Sequence, residues 1–172
     1  YVDFGGESAA ALLGQYDNLL VTQTFSKSRS MAGARLGFGM ASKAIIEDLE
    51  KLRYSTNPYN INRLTMLLGE KTIEQNDYYM ANCRRIADTR AYTKQALEAL
   101  GFSVLPGLGN FLFAQSPDIS GEALYLKLKD RGVLVRHFTN PKICNFNRIT
   151  IGTRQEMEEF IRIVGEIKEG ML

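Results

Sequence analysis

Cysteine and histidine are nearly absent: the 172 residues hold two cysteines, Cys83 and Cys144, and one histidine, His137. The cysteines form no Cys-x-x-Cys pattern, and with a single imidazole they cannot complete a metal set at any usual spacing. Both thiols therefore read as reduced, which predicts a cytoplasmic compartment. An excess of charge of one sign is missing too. Lys and Arg number 21 against 19 Asp and Glu, a formal net charge of +2 with the signs interspersed. That leaves no basic stripe or tail of the kind nucleic acid requires. No apolar run nears the roughly 18 residues of a membrane span, and Tyr1-Val2-Asp3-Phe4 does not open a signal peptide. The expectation is a soluble chain without metal, membrane or nucleic-acid partner.

What is present suffices for a core. A hydrophobic content of 45% with 23% charged residues suits a globular chain of one domain or slightly more. The densest chemistry lies in Thr24-Phe25-Ser26-Lys27-Ser28-Arg29-Ser30-Met31-Ala32-Gly33-Ala34-Arg35-Leu36-Gly37. It follows Leu19-Leu20-Val21, which reads as a buried strand. A lysine just past a strand end is expected at the floor of a cleft, where burial and a nearby cation make its amine nucleophilic. Arg35, eight residues on, can hold a phosphate bidentately, with the Thr24 and Ser26 hydroxyls donating to the same group. On composition alone the stretch also reads as a solvated loop.

The surrounding pattern is strand, turn and helix. Tyr1-Val2-Asp3-Phe4 reads as the tail of a strand with nothing ahead of it, so the chain is expected to be a fragment. Ser8 to Leu13 suggests a short helix closed by Gly14. Arg35 to Ala41 alternates small and large residues as a strand does, and Ser42 offers an N-cap to a helix lined by Ile45, Ile46, Leu49 and Leu52. That helix should end before Asn57-Pro58, since the residue ahead of a proline resists the helical region. Asn57 to Asn62 is the expected joint between domains.

Beyond the joint, Leu64, Leu67, Leu68, Ile73, Met80, Cys83, Ile86, Leu97 and Leu100 keep helical spacing. Gln75-Asn76-Asp77 interrupts them, Asn76 or Asp77 caps a second long helix, and Gly101 ends it in a left-handed turn. Four candidate strands follow: Phe102 to Leu105, Asn110 to Ala114, Val133 to Val135 and Asn147 to Ile151. Between them Ser120 to Arg131 is amphipathic with Gly132 as its stop. Thr153-Arg154-Gln155-Glu156 opens the last helix as a capping box, with Met157, Phe160, Ile161, Val164 and Ile167 as its buried stripe. A small sheet under helices is an α/β two-layer unit. Arg136 and Arg148 stand at or inside its strands, where a charge is costly unless it meets an anion; surface cations at strand ends are the other reading.

Thr24-Phe25-Ser26-Lys27 with Ala32-Gly33-Ala34-Arg35-Leu36-Gly37 resembles the cofactor-lysine segment of class I/II aminotransferases, the fold-type-I enzymes that use pyridoxal 5′-phosphate. The resemblance implies that Lys27 holds the cofactor covalently, that Arg35 and Thr24 bind its phosphate with Ser26 as a further contact, and that Tyr1 faces the phenolic oxygen. It implies an aspartate for the pyridine nitrogen three positions ahead of Tyr1. Pro58-Tyr59-Asn60-Ile61-Asn62 resembles the histidinol-phosphate branch of that family. The Arg148-Ile149-Thr150-Ile151-Gly152 segment resembles the site of the substrate α-carboxylate, and Arg136 the site of the substrate phosphate or of the acidic side chain of glutamate.

The implied fold is the C-terminal part of a pyridoxal-phosphate-dependent transferase. Residues 1–56 would end the large domain, 57–75 form the joint and its helix, and 76–172 make the small α/β domain. The implied activity is histidinol-phosphate transamination with glutamate and 2-oxoglutarate in histidine synthesis, by a homodimer acting on small amino and oxo acids. A threonine-phosphate decarboxylase of cobalamin synthesis, and a folded piece that holds no cofactor, are the alternatives.

Overall fold

The structure, a computed structural model, describes residues 1–170. It divides into two compact units, Tyr1–Asn82 and a second that begins at Cys83.

In the first unit β1 (Leu20–Thr24) pairs antiparallel with β2 (Gly37–Ala41), Leu20 opposite Ala41 and Thr24 opposite Gly37. The register brings the backbones so close that a Cβ on Gly37 would lie 2.9 Å from the Gln23 carbonyl oxygen. β1 is not the buried strand expected of Leu19-Leu20-Val21. Its residues alternate between exposed and half-buried, because its sheet has two strands only. Nor are the first residues a strand tail. Val2–Phe4 is a 3₁₀ turn, closed by Gly6 N–H donating to the Val2 carbonyl at 2.8 Å and made possible by Gly5 at φ 110°; a left-handed φ there suits glycine alone. Ala9–Leu12 is a second 3₁₀ turn, with the Ser8 hydroxyl accepting from Ala10 N–H.

Helix α1 (Lys43–Thr56) ends where expected, Asn57 being extended ahead of Pro58. Ser42 occupies its N-cap, yet its hydroxyl donates to the Asp17 carbonyl at 2.9 Å instead of capping. α2 (Arg63–Glu74) is capped by Asn62, whose side chain accepts from Thr65 N–H at 2.8 Å. Its buried face is Thr65, Gly69 and Thr72, while Leu64, Leu67, Leu68 and Ile73 lie exposed. Gln75 separates it from α3 (Asn76–Ala99), so Asn76 opens that helix instead of standing ahead of it as a cap.

The second unit holds the main core. A four-stranded antiparallel sheet runs in the order β3 (Ser103–Val104), β4 (Phe111–Gln115), β6 (Asn147–Thr150), β5 (Arg136–His137). The period of two along a strand sorts its residues by face. Leu112, Ala114, Asn147 and Ile149 turn inward, whereas Phe111, Phe113, Arg148 and Thr150 take the other face. Leu97 of α3, Leu124 and Leu128 of α4 (Gly121–Asp130), and Met157, Phe160, Val164 and Ile167 of α5 (Arg154–Glu169) complete the cluster. Each such side chain contributes roughly 1.5–3 kcal/mol by leaving water.

The expected strand Val133 to Val135 is not formed. Gly132 turns left-handed at φ 79° and Val133 N–H donates to the Leu128 carbonyl at 2.9 Å, so this backbone closes α4 and the strand starts at Arg136. In α5 the box is complete: Thr153 accepts from Glu156 N–H while Glu156 Oε2 accepts from Thr153 N–H at 2.7 Å. Ile163 joins the buried stripe, and Ile161 is only half-buried. Among the described residues no helix is long and apolar enough to cross a membrane.

Candidate functional site

Lys27 sits in the loop that joins β1 to β2. Phe25 N–H donates to the Leu36 carbonyl at 3.0 Å and Met31 N–H to the Phe25 carbonyl at 3.0 Å, so the loop is pinched at its neck. Ser30 N–H closes a turn on the Lys27 carbonyl at 3.1 Å, with Ser30 itself at φ 56°. Phe25, Ser28 and Met31 are buried, and Phe25 meets Phe38 edge-on at 5.8 Å between ring centres. The Lys27 side chain, expected at the floor of a cleft, is exposed in this chain, between the buried Phe25 and Ser28.

Thr24 ends β1, where its Oγ1 accepts from Ser26 N–H at 3.3 Å. That bond leaves the hydroxyl hydrogen of Thr24 to serve as a donor. Arg35 takes a left-handed backbone at φ 56° after the 3₁₀ turn Ala32–Ala34, and its Nη1 donates to the Ala32 carbonyl at 3.0 Å. A guanidinium has five N–H donors, so most remain for an anion. An exposed amine followed by a guanidinium and flanked by two hydroxyls is a donor set that fits an aldehyde-bearing phosphate. Tyr1 is 56% exposed, and Asp3 two residues on accepts from Gln23 Nε2 of β1 at 3.4 Å.

Two features of this loop were missed in the sequence. Arg29 donates from Nη1 to the Thr72 carbonyl at 3.2 Å and from Nη2 to Asn76 Oδ1 at 2.8 Å, and stacks over Tyr79. Leu36 fills the space over Gly69, where a Cβ would lie 2.5 Å from its Cδ2. A stripe of small residues at Thr65, Gly69 and Thr72 is the signal that marks this seat.

In the second unit Arg136 and Arg148 are directly opposite in the pairing of β5 with β6. Both are exposed, and neither joins an ion pair among the described residues. Aromatic rings surround them instead: Arg136 Cζ lies 5.6 Å from the Phe138 ring centre and Arg148 Cζ 5.5 Å from that of Phe111. Phe113 meets Phe138 edge-on at 5.7 Å and stacks on Phe146 at 4.6 Å. These rings were not anticipated, although the alternation in Asn110-Phe111-Leu112-Phe113-Ala114 puts two of them on one face. Two unneutralised guanidiniums on a partly apolar face can take a ligand with two anionic groups or one dianion.

A family model described as aminotransferase class I and II matches residues 1–164. The chain is 48% identical over 162 residues to a histidinol-phosphate aminotransferase of Brachyspira hyodysenteriae, covering 94% of this chain and 46% of that protein. It is 47% identical over 161 residues to the enzyme of that name from Chromohalobacter salexigens, at 94% and 46% coverage. The chain thus spans about half the length of the curated relatives it matches. Among solved structures, a histidinol-phosphate aminotransferase from Clostridium acetobutylicum superposes with a TM-score of 0.84 at 23% identity, covering 98% of this chain and 52% of that one. One from Sinorhizobium meliloti, in complex with pyridoxal-5′-phosphate, gives 0.77 at 21% over 92% of this chain and 43% of its own. L-threonine-O-3-phosphate decarboxylase from Porphyromonas gingivalis gives 0.83 at 20%, covering 98% and 53%.

Proposed function

The chain belongs to the class I and II aminotransferase family, and from that premise we propose that it carries the cofactor lysine and the substrate arginines of a histidinol-phosphate aminotransferase. The complete enzyme moves the amino group of histidinol phosphate to 2-oxoglutarate, giving imidazole acetol phosphate and glutamate, as a cytoplasmic homodimer. Residues 1–56 end its large domain, 57–75 make the joint and 76–172 the small domain. The observation that carries the reading is the facing pair Arg136 and Arg148, free of carboxylate partners among the described residues.

On this reading Lys27 Nζ holds pyridoxal phosphate, the Thr24 and Ser26 hydroxyls and the Arg35 guanidinium take its phosphate, and the Tyr1 hydroxyl faces its ring oxygen. The bound cofactor supplies an electron sink that acidifies the substrate's α-carbon. Once the substrate amine has displaced it from the cofactor, Lys27 Nζ would remove the α-proton and return it, acting as base and acid in turn. Arg148 pairs with the α-carboxylate of glutamate and of 2-oxoglutarate. Arg136 takes the phosphate of histidinol phosphate in one half-reaction and the side-chain carboxylate of glutamate in the other, so one cation serves two anions.

The test is amino transfer from histidinol phosphate to 2-oxoglutarate by the purified full-length protein, set against CO2 release from threonine phosphate. Turnover of the first supports the reading. Carbon dioxide release without amino transfer would replace it with the decarboxylase.

A further inference from the structure

We infer that Arg29 is a positioning residue for Lys27: its guanidinium ties the lysine loop to the break between α2 and α3. The inference rests on the reading of Lys27 as the cofactor lysine. The Lys27 side chain makes no hydrogen bond or ion pair among the described residues, so its place is set by the backbone that carries it.

That backbone is attached at two points to one stripe. Thr65, Gly69, Thr72, Asn76 and Tyr79 follow at intervals of four and three, the spacing of one helix face, and the stripe runs straight through the break at Gln75. Leu36, at the far end of the loop, sits on Gly69. Arg29, two residues past Lys27, takes the next three positions: the Thr72 carbonyl, the Asn76 side chain and the Tyr79 ring.

The chemistry of the seat suits a guanidinium. Thr72 lies in the last turn of α2, where carbonyls lack intrahelical partners and the helix dipole favours a cation. A planar fork can serve that carbonyl and the Asn76 oxygen together, which a point charge on a flexible stem cannot. Between Arg29 and Lys27 the chain has little slack, because the Ser30 N–H holds the Lys27 carbonyl and Ser30 is locked in a left-handed conformation. A shift of Arg29 is therefore a shift of Lys27.

The experiment uses the full-length enzyme loaded with pyridoxal phosphate, in the variants Arg29→Met, Arg29→Lys, Asn76→Ala and Arg29→Met with Asn76→Ala. Misplacing a reacting group by an ångström costs up to about a hundredfold in rate, so kcat of Arg29→Met should fall about tenfold with the visible absorbance of the bound cofactor retained. KM should stay within about twofold, since the interaction lost is not one with substrate. Arg29→Lys should recover part of the rate. The double variant should lose no more than Arg29→Met, and the Ser30 and Met31 amides should exchange faster with solvent than in the parent. An unchanged kcat, or losses that simply multiply in the double variant, would overturn the inference. Should Arg29→Met fail to fold, Asn76→Ala, an exposed side chain, decides in the same terms. Lys27→Ala separates the two claims: if absorbance and turnover survive it, the reading of Lys27 fails and takes this inference with it, whereas its loss beside a normal Arg29→Met overturns the inference alone.

Discussion

Arg136 of β5 and Arg148 of β6 face each other directly across the strand pair, two cations side by side with aromatic rings as their other neighbours. Like charges so placed cost about 0.2–1 kcal/mol in the absence of a counter-ion. Arg136→Gln should therefore raise the melting temperature of the unliganded protein slightly and abolish any further rise on adding inorganic phosphate. In catalysis, Arg148→Ala should weaken every substrate that carries an α-carboxylate alike, by about 2–5 kcal/mol where the bound substrate desolvates the pair. Arg136→Ala should weaken phosphate-bearing and acidic substrates while sparing neutral ones. Kinetics across the three substrate types check this; equal losses in the Arg136 variant would refute the division.

Lys27→Ala should remove the visible absorbance of the loaded full-length enzyme and lower turnover by several orders of magnitude, on the order of the 10⁴–10⁶-fold seen when a residue that acts directly on the reacting atoms is deleted. Lys43 and Lys51 lie on the exposed side of α1 in pairs with Glu47 and Asp48, so neither stands in for it. Absorbance spectra and single-turnover rates read the outcome.

Local signals carried most of the fold. The Thr153 and Glu156 box and the Gly101 and Gly132 stops each depend on residues within one turn, and each stands where the spacing put it. What the sequence left hidden was set by competing backbone partners and by residues far along the chain. Val133 to Val135 has the composition of a strand, but the Leu128 carbonyl claims the Val133 N–H first. α2 has a leucine-rich stripe that invites burial, yet Gly69 lets Leu36 approach, and the helix turns its small residues inward. Of the proposed site, Lys27, Arg35, Arg136 and Arg148 are the residues that motif and strand position single out. The pairing of the two arginines was not legible, because register is a property of two strands and neither sequence states it. Arg29 lay in plain view within the motif, but its partners are more than forty residues away.

The capping box of α5 makes stability pH-dependent in a known direction. Glu156 is held below the ordinary carboxylate range, first by the Thr153 N–H and then by the Thr153 hydroxyl. A group whose folded value is depressed adds stability that is complete above its unfolded value, about 4.3, and is lost as pH falls through the folded value. Glu156→Gln should therefore flatten the acid limb of a stability profile below about pH 4.3. Thr153→Ala should cost about 0.5–2 kcal/mol at neutral pH. Urea unfolding across the acid range tests both, and superimposable acid limbs for parent and Glu156→Gln would contradict the assignment.

Two glycines in helices of the second unit should respond to alanine with opposite signs. Gly121 is the first residue of α4, and its carbonyl accepts from the buried Asn147 Nδ2 at 2.9 Å. A Cβ there would lie 2.8 Å from the Asn145 carbonyl carbon and closer still to the Cys144 carbonyl oxygen. Both obstacles are backbone, so relief requires moving the loop that leads into β6 or the start of α4. Moving either stretches the Asn147 bond, and Asn147 adjoins Arg148. Gly121→Ala should thus destabilise by at least the roughly 1–3 kcal/mol of an overpacked core, and should weaken substrate binding at Arg148 as well. Gly165 of α5 is the opposite case, because a Cβ there meets nothing within 4 Å. Helical glycine costs about 0.5–1 kcal/mol relative to alanine through backbone entropy alone, so Gly165→Ala should stabilise by that amount and leave kinetics unchanged. Chemical denaturation of the two variants beside the parent measures the pair, and a stabilised Gly121→Ala would show that the α4 start is looser than its packing implies.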